Sequence, residues 1–149
     1  MTTSTSKSIV ESAIKWARGL FGTTLLTAKL TLTPVPAARP RVGRWGTYYP
    51  KKYAAWKAAA EAEALTFKQA EKDGLRLIVL DCVIEKPRTS KLDTPNGDVD
   101  NFAKGSLDAL NRAAKAWHDD KQVMGLLAFK RFAEKGEEPG TNIGVWHVE

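Results

Sequence analysis

Asp98 and Asp100 open the run Asp98-Val99-Asp100-Asn101-Phe102-Ala103-Lys104, and Asp108 follows one helical turn after Lys104. Further on, His118-Asp119-Asp120-Lys121-Gln122 adds a second acidic pair. Carboxylates grouped in this way have two readings. At a helix start they cap free N–H groups and complement the helix dipole, and the turn Pro95-Asn96-Gly97 makes Asp98 an N-cap. Brought together by folding, they are a set of hard oxygen donors for a divalent cation.

At 3.6 residues per turn, Asp100, Lys104 and Asp108 share one side of a helix, offset from an apolar stripe of Phe102, Ala109, Leu110, Ala113 and Trp117. An i,i+4 ion-pair ladder on a solvated face explains that line as well. Asp119 and Asp120 come directly after the expected helix end, where the dipole is negative and a counter-charge is called for; a divalent cation supplies one. Mg²⁺ binds through one or two carboxylates, several waters and a substrate phosphate. The chemistry that fits is phosphodiester hydrolysis, with the ion polarising the phosphoryl oxygen and lowering the pKa of the attacking water. Lys104 is then placed to neutralise transition-state charge. Asp98, Asp100 and Asp120 are the expected metal ligands, and Mg²⁺ is the expected ion with Mn²⁺ as a substitute.

A second group is basic and aromatic. Arg39, Arg41, Arg44, Trp45, Tyr48, Tyr49, Lys51, Lys52 and Tyr53 lie within fifteen positions. Lys and Arg neutralise phosphates, and aromatic rings stack on unpaired bases. Arg39, Arg41, Arg44, Trp45, Lys51 and Lys52 are therefore the expected DNA contacts; the alternative is a solvated loop whose Trp and Tyr pack onto the next helix. The formal net charge of +6 is unevenly spread: residues 1–57 hold ten bases and one acid, whereas residues 58–149 hold thirteen bases and sixteen acids. The basic surface and the acidic chemistry thus come from different parts of the chain.

Other chemistries are weakly supported. His118 and His147 lack partners at zinc-ligand spacing, and Gly43-Arg44-Trp45-Gly46 is not a Walker loop. The single cysteine, Cys82, lies in an apolar run and reads as a buried thiol, with no intrachain disulfide. No stretch reaches the ~18 apolar residues of a membrane span. The first residues do not form a secretory signal, so a cytoplasmic protein is expected.

The elements that must position these groups follow from periodicity. Residues 8–20 predict an amphipathic helix ended by Gly22, Leu26–Thr33 a half-buried strand, and residues 34–50 a loop. Ala54–Ala70 predicts a helix, Leu75–Ile84 a buried central strand, and Glu85–Gly97 a loop. A helix from about Asp98 to Trp117 precedes strands near Val123–Phe132 and Ile143–Val148. The expected fold is α+β: a small mixed β-sheet packed against helices in a single domain.

The pattern Asp-x-Asp-Asn-x-x-Lys-x-x-x-Asp, followed after an interval by Asp-Asp-x-Gln, resembles the central signature of RusA-like Holliday junction resolvases. The resemblance covers about residues 26–148. It implies that Asp98, Asp100 and Asp120 bind the metal, that Lys104 assists, and that Asn101, Asp108, Asp119 and Gln122 support the site. It divides the chain into an N-terminal helical extension, 1–22, and an endonuclease domain, 23–149. The N-terminal helix looks like an addition, and the loop Lys86–Gly97 is longer and less basic than the family's usual approach to the site. A four-way junction is close to two-fold symmetric and needs two matching cuts, so a homodimer acting on branched DNA is expected, with no membrane partner. A flap or fork nuclease on the same fold and a non-catalytic DNA-binding protein are the alternatives.

Overall fold

A computed structural model describes residues 3–21, 24–67 and 73–148. In chain order the elements are α1 (Thr3–Phe21), β1 (Thr24–Leu30), β2 (Arg41–Gly43), β3 (Gly46–Tyr48), α2 (Lys51–Ala64), β4 (Leu75–Ile84), α3 (Val99–Arg112), β5 (Val123–Phe132) and β6 (Gly140–Val148). The four long strands form one mixed sheet in the order β1-β6-β4-β5, antiparallel except for the parallel pair β4–β5. This is the small α+β domain the sequence predicts.

The continuous apolar run of β4 is explained by cover on both faces. Ile78 and Leu80 face one side, joining Leu30, Ile143 and Val145 against Tyr53, Trp56, Leu110 and Trp117 of the α2–α3 layer. Leu77 and Val79 face the other, where they meet Trp146 and Ala17 of α1. A strand buried on both faces keeps no polar alternation. Arg76 and Asp81 are the buried charged exceptions, and Asp81 lies on the α1 side. Its carboxylate accepts from Arg131 Nε and Nη2, both at 3.0 Å, and from Asn142 Nδ2 at 3.0 Å. Arg131 in turn donates to Glu137 at 2.6 and 2.8 Å, and Lys7 of α1 lies 3.7 Å from the same carboxylate. A buried charge is tolerated because every member is paired.

Several boundaries differ from the sequence expectations, each for a local reason. The first helix begins at Thr3; Gly22, its expected stop, lies outside the described residues. β1 ends at Leu30 rather than Thr33 because the Thr31 N–H donates to Glu63 Oε1 at 2.7 Å and leaves the ladder. The second helix starts three residues early, at Lys51, and ends at Ala64; its expected end, Ala70, is outside the described residues. α3 stops at Arg112, not Trp117. Lys115 takes a left-handed φ of 50°, and the Ala116 N–H returns to the Leu110 carbonyl at 3.0 Å. That is a helix closure usually built on glycine, so no residue type announced it. The 34–50 loop contains a two-stranded hairpin, β2–β3.

Parallel strands need a crossover connection. Between β4 and β5 that connection is the loop after Ile84, α3 and the segment leading to Val123, and it carries every candidate acid from Asp98 to Asp120.

Candidate active site

α3 packs on α2 through a close approach: a Cβ on Gly105 would stand 2.6 Å from the Trp56 ring, so only glycine admits that indole. With that face buried, the side bearing Asp100, Lys104 and Asp108 is turned outward. These three side chains, together with Ala103, Leu107, Trp117, Asp120, Val123 and Leu126, line a cavity of about 480 Å³ between α3 and the start of β5. Asp100, Lys104 and Asp120 are exposed, and Asp108 is half-buried. Burial, and next the Asp108 carboxylate, push the phenol of Tyr53 above its ordinary pKa, so it stays neutral beside the site.

Asp120 begins a short 3-10 helix, Asp120–Gln122. Its Oδ1 accepts a hydrogen bond from the buried Trp117 Nε1 at 3.0 Å. Asp119 and Gln122 have a different task. Asp119 Oδ1 accepts from the Lys121 N–H at 2.9 Å, while Gln122 Oε1 accepts from the N–H groups of His118 and Asp119 at 2.7 and 3.0 Å. This capping box fixes the turn that presents Asp120. It also corrects the dipole argument for the pair: α3 ends at Arg112, so its C-terminal field, which fades beyond the last turn, does not reach residues 119 and 120. His118, left out of the site, lies 3.3 Å from Asp73.

Asp98 occupies the N-cap position of α3, as the turn before it predicts, yet its side chain makes no capping hydrogen bond. It is exposed and does not belong to the cavity lining. Among the described residues, no group of three or more His, Cys, Asp or Glu side chains is close enough to hold a metal ion. The fold thus gathers Asp100, Lys104, Asp108 and Asp120 around one space, and leaves Asp98 at its edge in sequence but off its wall.

The end of α3 that carries Asp98 and Asp100 is held by contacts that the sequence did not disclose. Lys130 of β5 donates to the carbonyls of Pro95 and Gly97 at 2.8 and 2.6 Å. Gly97 has φ 105°, and a Cβ there would press on Phe102 and Pro36 at 3.1 and 3.3 Å. The Asn101 carbonyl accepts the Ala37 N–H at 2.8 Å, which ties the basic segment to the first turn of α3. Asn101 serves here through its backbone. A lysine within a strand and a carbonyl more than thirty positions away leave no periodic signal, which is why Lys130 was missed.

The basic segment follows this tie. Arg39, Arg41, Arg44, Trp45, Lys51 and Lys52 are all exposed, on the β2–β3 hairpin, its approach and the first turn of α2. Tyr49 and Tyr53 do pack inward, edge to face at 5.3 Å, and Tyr53 stacks on Trp56. Trp45 does not: it is 92% exposed. No helix among the described residues is long and apolar enough to cross a membrane.

The acidic side chains lining the cavity offer carboxylate oxygens, the donors a hard divalent ion takes, and two carboxylates with water and phosphate satisfy such an ion. No curated protein matches the chain. The family profile Endodeoxyribonuclease RusA matches residues 31–145, which include the cavity, the hairpin and the whole crossover. With most of its length matched and its acids, lysine and basic hairpin within the match, the chain belongs to the RusA endodeoxyribonuclease family.

Proposed function

We propose that this endodeoxyribonuclease is divalent-metal-dependent and resolves four-way DNA junctions by paired, symmetric nicks, acting as a homodimer. The observation that carries the reading is the common cavity of Asp100, Lys104, Asp108 and Asp120, tied through the Ala37–Asn101 hydrogen bond to a basic segment. Asp100 and Asp120, which line the cavity, are the carboxylates suited to hold Mg²⁺ or Mn²⁺; Asp98, outside that lining, is proposed as a third ligand that must move towards them to reach the ion. Such an ion, when bound, supplies Lewis-acid polarisation of the scissile phosphate and a more acidic attacking water. Lys104 donates to a non-bridging phosphate oxygen and offsets the charge that accumulates there. Arg39, Arg41, Arg44, Lys51 and Lys52 hold the flanking phosphates and set the strand's path to the cavity. Two copies related by a two-fold axis match the near-symmetry of a four-way junction.

The test is cleavage of end-labelled junction, flap, fork and duplex with Mg²⁺, Mn²⁺ or EDTA. Ion-dependent cuts at symmetric positions of the junction are expected, with cleavage abolished and junction binding in EDTA retained for Asp98→Asn, Asp100→Asn and Asp120→Asn. Full Mg²⁺-dependent activity in all three variants overturns the metal assignment. Single asymmetric cuts confined to flaps or forks replace the junction reading. Sedimentation that finds only monomer at micromolar concentration, with junction present, removes the homodimer.

A further inference from the structure

The β2–β3 hairpin ends in two large side chains followed by a glycine. Gly43 pairs with Gly46, so the tip is the two residues Arg44 and Trp45. Two-residue tips most often carry Asn or Gly because their backbone needs positive φ. Here Gly46 alone takes it, at φ 112°, while Lys115 is the only non-glycine with positive φ among the described residues. The tip can therefore display two full side chains. Trp45 is 92% exposed, Val42 is 85% exposed, and Tyr48 is exposed on the opposite strand. Tyr48 closes over Gly43, where a Cβ would meet its ring at 2.9 Å, so the base of the tip is filled and the indole is left outside. The Arg44 guanidinium carbon lies 5.3 Å from the Trp45 ring centroid.

Folding gains nothing from a tryptophan held in water, and an apolar projection of this kind marks a contact with another molecule. Charge selects the partner. There is no acid between Glu11 and Glu61, Arg44 is part of the tip, and Arg39, Arg41, Lys51 and Lys52 flank the hairpin in the sequence and are exposed. The complement of such a surface is a polyanion, and the complement of an exposed indole within it is a flat aromatic face. DNA with an unpaired or unstacked base offers both, whereas in an intact duplex the base faces are covered by their neighbours.

Resting on the nuclease reading above, we propose that Trp45 stacks on an unpaired base at a DNA branch, so that the hairpin distinguishes branched DNA from continuous duplex. The phosphate contacts of the surrounding bases give affinity to any DNA. Trp45 adds a component that only an open base can accept, worth ~1–3 kcal/mol, or roughly a 5- to 150-fold preference.

The experiment uses the full chain in EDTA, so that cleavage does not enter, with 2-aminopurine at the centre of an immobile four-way junction or within a duplex. The wild-type protein is expected to quench the junction probe and not the duplex probe. Trp45→Ala is expected to lose that quenching and to bind the junction about 10-fold or more weakly, with duplex affinity changed less than twofold; Trp45→Phe restores most of both. Because the side chain is exposed, thermal unfolding of the variants is expected to match wild type. Equal loss for junction and duplex, or quenching retained in Trp45→Ala, overturns the stacking role and leaves the nuclease reading intact. Loss of binding to anionic vesicles in Trp45→Ala, with DNA binding unchanged, assigns the tip to a lipid surface instead and also overturns it. A wild-type protein that binds neither DNA brings down the nuclease reading along with the inference.

Discussion

Trp117 Nε1 donates to Asp120 Oδ1 at 3.0 Å, and Trp117 itself is only 2% exposed. A rigid, packed indole thus fixes one oxygen of an exposed carboxylate and leaves the other for the cavity. Trp117→Phe keeps most of the ring and removes the N–H. The proposed ion site predicts a several-fold rise in the Mg²⁺ concentration giving half-maximal cleavage, with junction affinity in EDTA unchanged. Hydrogen bonds to charged groups contribute ~1.5–3 kcal/mol, which bounds the shift at roughly 10- to 150-fold. An unchanged Mg²⁺ profile would show that Trp117 only packs.

Lys130 bonds two carbonyls of the turn that precedes α3. Lys130→Met leaves both without that donor and is expected to cost about 2 kcal/mol of stability. Hydrogen exchange should quicken at amides 96–101 more than along β4, and cleavage should fall more than junction binding. Uniform acceleration across the sheet would mean that the lysine stabilises the fold as a whole and not this turn.

The charge network around Asp81 predicts acid sensitivity. The hydrogen bond from Arg131, above all, lowers the Glu137 carboxyl from its usual 4.5 to about 2, and burial opposes the shift. A carboxyl with a depressed folded-state pKa contributes stability that is fully present above its unfolded value. That contribution fades as pH falls from about 4.5 towards 2. Burial works against the charge of Arg131, yet its hydrogen bonds to Glu137 and Asp81 hold the guanidinium above its ordinary pKa, so the arginine stays charged throughout. Glu137→Gln should lower stability at neutral pH and flatten the denaturation midpoint between pH 5 and pH 2. A variant whose pH dependence parallels wild type would remove Glu137 as the titrating group.

Burial pushes the Cys82 thiol up to about 12. The thiolate is the reactive form, so the folded protein should resist alkylation at pH 8 and react fully in denaturant. Modification at a rate typical of a free thiol under native conditions would show that β4 opens locally.

Much of this was legible in the sequence where a pattern is local. The ten-residue run Leu75–Ile84 became β4 with the boundaries it suggested, and Val123–Phe132 became β5 likewise. The helical spacing of Asp100, Lys104 and Asp108 did place all three on one cavity wall. What the sequence hid depends on partners far along the chain or on backbone geometry without a signature residue. Trp117 read as the last member of an apolar stripe, although its N–H serves Asp120. Nothing near Asp81 in the sequence announces its partners, Arg131 and Asn142, which lie fifty and sixty-one positions further on. The hairpin was concealed because its tip is Arg-Trp, not the Asn-Gly that announces a tight turn.

The parallel pairing of β4 with β5 has a kinetic consequence. Helices form in about a microsecond, but a parallel pair must first close the long chain segment between its strands, and such non-local closure is slow. The two walls of the cavity lie on that segment and on the strand it delivers, so α3 can be fully coiled while Asp120 is still far from Asp100. After dilution from denaturant, nuclease activity should therefore return with the slowest major phase, well behind the recovery of helical circular dichroism.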